Sequence, residues 1–200
     1  MLRTTVLFMS ALATVSTAAW AQATGTPSYN APYRAFERSE IGIVVSFPNG
    51  GSTAFEGVYR RANGRFDLGF RAGILDTQGP GDAIILLGAE ARQRVITHNT
   101  DFPLDGALVV GLGAWLVSDN SFLIIPVGLS LGRRIDVEGS AVSIVPYVQP
   151  TLSLLFGNGS DVGFTLGLGG DFRLTRSFDA RISAGIGDLE GVSIAAIWVH

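Results

Sequence analysis

Cysteine and lysine are both absent from this chain of 200 residues, and histidine occurs only twice. Without cysteine the protein has neither a disulfide framework nor a thiolate metal site. With His98 and His200 as its only imidazoles, it offers few places for histidine-based catalysis. All 14 basic residues are arginine, and no block of like charge indicates a nucleic-acid partner. We therefore expect no bound cofactor and no nucleic acid.

Long apolar runs are also missing once the N-terminus is passed, although the mean hydropathy is positive at +0.36. A spanning helix needs about 20 consecutive apolar residues, and no segment after residue 23 provides them. Residues 1–23 carry one charge, Arg3, then an apolar run over 6–13, and then small residues. This order predicts a secretory signal peptide that is cut after Ala21 or Ala23.

The residues behind this segment divide into two parts. Residues 24–37 contain Pro27 and Pro32 and few apolar positions, which predicts a flexible N-terminal lead-in with little order. Residues 38–200 are predicted to form one domain.

A strict two-residue alternation is the main signal in that domain. From Val162 to Leu174 every second residue is apolar, with only Gly170 interrupting the row, and the residues between are Gly, Thr, Asp and Arg. Residues 178–186 repeat the arrangement. A period of two indicates strands, and no helical period separates them, which argues against a parallel sheet with crossover helices.

Ten strands can be assigned, separated by short links rich in Asn and Gly such as Asn63-Gly64, which are typical of antiparallel hairpins. The fold is therefore predicted to be all-β, an antiparallel up-and-down transmembrane β-barrel. Ten strands are expected, or eight if residues 39–61 do not join the wall. The predicted strands are 39–47, 54–61, 65–75, 83–95, 106–117, 122–134, 141–156, 161–174, 177–187 and 190–199.

Alternation alone does not say which face points inward, but the aromatic residues favour an outward apolar face. An even strand number places both termini at one end, and apolar-face aromatics then collect at both strand ends, as membrane interfaces select. The predicted belts are Phe66, Phe172, Phe178 and Trp198 at the periplasmic ends, and Phe47, Phe55, Phe156 and Phe164 at the outer ends.

The other face is rich in glycine and in opposite charges, which suit a crowded barrel interior. The charges are expected to form a lumen network that compensates itself. Two readings remain open: the network plugs the barrel, or it lines a narrow path for ions or small solutes. Its members are Asp67, Arg71, Glu90, Arg92, Asp171, Arg173, Asp179 and Arg181. Spacing along each strand predicts four ion pairs: Glu90 with Arg92, Asp67 with Arg71, Asp171 with Arg173, and Asp179 with Arg181.

This layout resembles the small outer-membrane β-barrel proteins of Gram-negative bacteria, the type represented by the membrane domain of OmpA and by OmpX. The resemblance covers about residues 39–200 and is sharpest in the last strand, which matches the alternating apolar residues of a C-terminal assembly signal through Val192, Ile194, Ala196 and Trp198. His200 stands where that signal usually has a terminal aromatic residue, a departure that bears on the efficiency of assembly. The resemblance implies insertion by the general outer-membrane barrel assembly machinery.

Candidate catalytic and metal sites are sparse. His98 falls in a predicted periplasmic link together with Asp101, and one histidine with one carboxylate seldom holds a metal. No acid and histidine meet near an outer link, as ten-stranded outer-membrane proteases of the omptin type require, and no serine has a partner histidine. We therefore expect no catalytic, cofactor or metal site, and no enzyme activity.

The expected function is that of an integral outer-membrane β-barrel protein, non-enzymatic and contributing to envelope structure. Its partners would be outer-membrane lipid and the assembly machinery. One alternative is a narrow passive pore, and another is a soluble periplasmic lipid-binding barrel whose apolar face points inward.

Overall fold

The structure of the protein is a computed structural model that describes residues 22–32, 36–77, 83–117, 121–140, 142–157 and 159–200. Apart from Gln22 and Ala23, the predicted signal peptide lies outside the described residues. None of the helical turns in the described ranges is long and apolar enough to cross a membrane.

Eleven β-strands follow one another in the described part of the chain, ten of them long. The ten long strands confirm the predicted all-β class and the predicted strand number. The strands are β1 (Glu40–Pro48), β2 (Thr53–Asn63), β3 (Phe66–Asp76), β4 (Ile84–Ile96), β5 (Asp105–Leu116), β6 (Ser121–Gly132), β7 (Ile135–Asp136), β8 (Ser143–Phe156), β9 (Ser160–Arg173), β10 (Phe178–Gly187) and β11 (Gly191–Val199).

The strands close into a barrel. Each long strand pairs antiparallel with its neighbours in the chain, β6 pairs directly with β8, and β1 pairs with β11 over its whole length. Residues 39–61 therefore join the wall, and the eight-stranded alternative is wrong. The two ends of the wall meet at one rim, where the amide of His200 donates a hydrogen bond to the Ser39 carbonyl at 2.9 Å. We call this end the terminal rim and the opposite end the far rim.

Local sequence sets the hairpin between β2 and β3. Asn63 lies opposite Phe66, so two residues make the turn, and Gly64 takes a φ of 68°. A left-handed φ of this kind costs glycine little, and such turns match the twist of the strands they join. The Asn-Gly link thus marks the hairpin, but the two-residue turn lies one residue later than an Asn63-Gly64 turn would, because Asn63 still pairs with Phe66.

The sixth predicted strand, 122–134, is shorter in the structure. β6 ends at Gly132 because its partner β5 begins directly opposite, at Asp105. Ile135 and Asp136 instead form the short strand β7, which pairs with the start of β8. This pair extends the wall locally at the terminal rim.

The apolar face of the barrel points outward. In β1, Ile41 and Ile43 are 53% and 61% exposed, whereas Glu40, Val44 and Ser46, on the other face of the strand, are buried. The other long strands show the same alternation. A soluble lipid-binding barrel would need its apolar face inside, so the structure contradicts that alternative.

The residues of the predicted aromatic belts lie on the outer surface, towards the two rims. At the terminal rim the Phe178 and Trp198 rings meet edge to face, with centroids 5.1 Å apart. Phe66 begins β3 at this rim, and Phe172 lies next to the end of β9. Phe47, Phe55, Phe156 and Phe164 lie towards the far rim. Their role at a membrane interface stays a prediction.

Candidate functional site

The candidate site is the lumen, which all eight residues of the predicted charge network face. Seven of the eight are buried, and Arg173 is partly buried at the terminal rim. Glu40, Glu56 and Arg60 join the network from β1 and β2.

One group of charges is centred on Asp67, whose side chain is fully buried. Arg92 donates to both of its carboxylate oxygens, at 3.0 to 3.2 Å, and Arg60 forms a second ion pair with it. Arg60 also contacts Glu90 at 2.7 Å. Gly69 makes this possible, because a Cβ there would lie 2.9 Å from the Arg60 guanidinium. Charges buried in this way are stable when several partners satisfy each of them.

A second group lies on the opposite wall. Arg181 donates two hydrogen bonds to Asp171, at 2.8 and 2.9 Å, and contacts Glu40 at 3.4 Å. Beside it, Arg173 donates to Asp179 at 3.1 Å. Forked pairs of guanidinium and carboxylate are among the stronger hydrogen-bonded contacts in proteins. The lumen charges of these two groups therefore compensate one another.

The predicted partners within that network are largely wrong, and the pleat explains why. Residues two apart along a strand are separated by about 6.6 Å, whereas directly opposed residues on neighbouring strands have Cβ atoms about 5 Å apart. Arg181 lies opposite Asp171, and Asp179 lies opposite Arg173.

The pair predicted between Asp67 and Arg71 does not form either. Asp67 lies opposite Arg92, while Arg71 contacts Glu56 at 3.7 Å. The predicted contact between Glu90 and Arg92 is present but long, at 3.9 Å.

The lumen is also filled by the protein's own N-terminal segment, residues 22–32, which we call the lumen segment. All eleven of its residues are buried. This differs from the flexible lead-in expected over 24–37, of which residues 33–35 lie outside the described part of the chain. Residues 36–39 lie at the terminal rim, where Phe36 stacks under the guanidinium groups of Arg92 and Arg94. The N-terminal part of the lumen segment lies in the far half of the barrel, where Trp115 contacts Thr24.

Side chains of the wall bind the lumen segment chiefly through its backbone carbonyls. Trp115 Nε1 donates to the Thr24 carbonyl at 2.8 Å, and five consecutive carbonyls further along are bound in the same way. Buried carbonyls need such partners, because an unpaired one carries a desolvation penalty of about 1–3 kcal/mol. The five are Pro27 (from Ser183 and Ser193), Ser28 (from Arg71), Tyr29 (from Tyr147), Asn30 (from Ser130) and Ala31 (from Arg92).

Polar side chains of the segment add further contacts. The Thr26 hydroxyl donates to Glu56 at 2.7 Å, and the Ser28 hydroxyl accepts from Arg71 at 2.6 Å. Asn30 bridges the two charge groups, since its amide donates to Glu90 at 3.5 Å and its oxygen accepts from Arg181. The segment therefore connects opposite sides of the wall.

Inward glycines make room for the segment. The Tyr29 ring lies over Gly167, where a Cβ would come within 2.5 Å of the ring, and its hydroxyl lies beside Gly185. Ala23 lies against Gly88 and Gly113, and a Cβ at Gly113 would collide with the Ala23 carbonyl. The glycines of the polar face thus form a channel that fits the segment closely.

A small cavity lies beside the described part of the segment. A cavity of about 10 Å³ lies between Asn30, Glu40 and Arg71, close to the minimum that one water molecule needs. At this level the charge groups and the lumen segment are in contact across the lumen, through Asn30.

The terminal rim carries the residues considered for metal binding. His98 Nδ1 lies 3.0 Å from Asp105, and the His98 amide donates to the same carboxylate. In the described residues, the carboxylate that His98 contacts is therefore that of Asp105 and not that of Asp101. The backbone amide of Asp101 donates to the Asn99 side chain. Within the described ranges no three His, Asp or Glu side chains come together as a metal site.

Comparison of the sequence with protein families and with curated proteins finds no match. Several solved structures are similar at the level of the fold, among them the following two. A structure titled "De novo design of transmembrane beta-barrels" is 13% identical, with a TM-score of 0.38, and the match covers 82% of this chain and 97% of the other. The crystal structure of the β domain of the Bordetella autotransporter BrkA is 14% identical, with a TM-score of 0.45 and coverage of 82% and 99%.

Proposed function

We propose that this protein is a non-enzymatic, integral outer-membrane β-barrel whose closed lumen and apolar wall give it a structural role in the envelope. The observation that carries the proposal is the orientation of the wall, with large apolar side chains outside and a self-compensating charge network inside. It belongs, on this proposal, with the small barrels of the OmpA and OmpX type.

The outer surface supports a membrane environment. Exposed large apolar residues occur on every long strand, including Phe70, Leu112 and Ile182, each about half exposed. Apolar patches of this extent are a liability in water and a requirement in hydrocarbon. Closure of the sheet also satisfies the backbone hydrogen bonds that a bilayer core would otherwise leave unpaired.

The filled lumen supports a structural role over a passive pore. Open aqueous channels occur in barrels of about 16 to 18 strands, whereas smaller barrels are filled by side chains. Here the lumen segment adds its own backbone to those side chains. The narrow pore for ions or small solutes therefore stands as an outcome of the test below.

Export through a cleaved signal peptide completes the proposal. The contacts of Ala23 with the wall favour cleavage after Ala21, which would retain Gln22 and Ala23 in the mature chain. The outward row Val192, Ile194, Ala196 and Trp198 fits recognition by the barrel assembly machinery, and membrane lipid would be the other partner.

Cell fractionation followed by planar-bilayer recording tests this proposal. We expect the protein in the outer-membrane fraction, a folded form whose gel migration changes on boiling, and no steady current. Steady currents that change in Arg92→Ala and Arg173→Ala variants would support the narrow pore instead. Recovery in the soluble periplasm would contradict the membrane proposal itself.

A further inference from the structure

The contacts of the lumen segment are those of a bound peptide. We propose that the barrel wall is a binding site for a peptide without charged side chains, and that residues 22–32 are its resident, releasable ligand. This inference requires a folded barrel but does not depend on the envelope role proposed above.

The first argument is the mode of recognition. Six of the carbonyls between Thr24 and Ala31 accept hydrogen bonds from wall side chains on six strands, β3 to β6, β8 and β10, with a second donor to Pro27 on β11. Carbonyls are the same in every residue, so these donors recognise the path of the backbone, which turns at Gly25 with a φ of 65°. The wall thus presents a ladder of donors in a row, as peptide-binding grooves do when backbone bonds give affinity and pockets give specificity.

The second argument is that the wall does not need the segment for its own charge balance. The segment 22–32 contains no charged residue. The ion pairs of Arg92 with Asp67, Arg181 with Asp171 and Arg71 with Glu56 are all formed between wall residues. Withdrawal of the segment therefore leaves each of these charges with a charged partner on the wall.

The third argument is a pair of side-chain pockets that select the ligand. The Tyr29 ring fills a pocket whose floor is Gly167 and Gly185 and which also contains Val145 and Tyr147. Ala23 fits where Gly88 and Gly113 leave room for one methyl group. The preferred ligand is therefore a peptide without charged side chains that has a small residue near one end and an aromatic residue six positions later.

Release of the segment has a measurable consequence. The space that it occupies runs from the terminal rim to the far half of the lumen, so its departure would leave a polar passage lined by Arg71, Arg92 and Arg181. Conductance then reports occupancy of the peptide site.

A cleavable full chain tests the proposal. A specific protease site is inserted between Arg38 and Ser39, beside the exposed Glu37 and Arg38, and the protein is folded before it is cut. We expect the uncut barrel to be silent in a planar bilayer. After cutting and washing we expect steady conductance, which synthetic peptide 22–32 abolishes as its concentration is raised.

Two control peptides define the specificity. A scrambled peptide of the same composition should leave the current unchanged, and the Tyr29→Ala peptide should need a concentration about tenfold higher or more, since a buried aromatic ring is lost.

Three results would overturn the proposal. The first is a cut barrel that stays silent although mass spectrometry shows the segment gone. The second is a retained segment that does not exchange with labelled peptide. The third is a current that the scrambled peptide blocks as well as the native one. Heat-modifiable migration of the uncut protein, and its cellular fraction, report on the envelope proposal separately.

Discussion

Replacing Arg92 by alanine is expected to lower the free energy of unfolding by about 3 kcal/mol or more, the range for breaking a buried ion pair. The Arg92 and Asp67 side chains are both fully buried, and Arg92 provides three of the hydrogen bonds to that carboxylate. Arg92→Ala leaves Asp67 with Arg60 as its remaining guanidinium partner. It also removes the donor to the Ala31 carbonyl, so the lumen segment loses a contact.

Urea unfolding of the refolded protein in lipid vesicles measures this effect. Arg134→Ala is the matched control, because Arg134 forms an ion pair with Asp136 at 2.7 Å while both side chains are substantially exposed. Exposed pairs contribute about 0–1 kcal/mol, so the control should change little. If both variants lose the same free energy of unfolding, the ion pair of Arg92 with Asp67 contributes no more than an exposed pair does.

Replacing Leu112 by arginine is expected to cost about 2–4 kcal/mol, as for a charge placed on the lipid face at the bilayer midplane. Leu112 lies on the outward face in the middle part of β5 and is 51% exposed. The guanidinium would have to enter hydrocarbon or stay hydrated by water drawn into the bilayer. Insertion into vesicles should therefore slow or fail.

Leu116→Arg is the control on the same strand and the same face, four residues nearer the far rim. Close to the interface the cost of an arginine falls to about 0–1 kcal/mol. The comparison is made by following folding into vesicles through heat-modifiable migration. If both variants insert as well as the native protein, the outward face does not lie in a bilayer.

The wall of the barrel could be predicted from sequence because its signal is local. Alternation in segments such as 162–174 reports directly which residues share a face, and links such as Asn63-Gly64 mark the hairpins. The weak early strands over 39–61 were harder to place, because Gly42 and Gly57 dilute their pattern. Their inclusion is settled by pairing between β1 and β11, a contact between residues at opposite ends of the chain.

The lumen could be predicted only in part. The face on which each charge lies follows from parity along its strand, so the members of the network were found. The ion-pair partner of each charge depends on the register between neighbouring strands, and the spacing of residues along one strand does not determine that register. Arg181 accordingly pairs with Asp171 on the next strand.

The lumen segment lay beyond prediction because its order is entirely tertiary. Residues 22–32 have no charge, no apolar period and two prolines, which is also the composition of a flexible linker. The signal that pointed to it lies elsewhere, in the inward glycines such as Gly113 and Gly167. A face that carries so little side-chain volume leaves a channel that something must fill.

A disulfide between the lumen segment and the wall tests the central claim most directly, namely that the protein fills its own barrel. The Cβ of Ala23 lies 3.1 Å from the position of a Cβ at Gly88, near the separation of about 3.5–4.5 Å in disulfides. The chain has no cysteine of its own to compete. We predict that the Ala23→Cys, Gly88→Cys variant forms this bond on oxidation of the folded protein. The matched Ala23→Cys, Gly57→Cys variant, whose second site faces outward, should stay reduced. Free thiols in both variants, on a barrel that folds normally, would contradict the account.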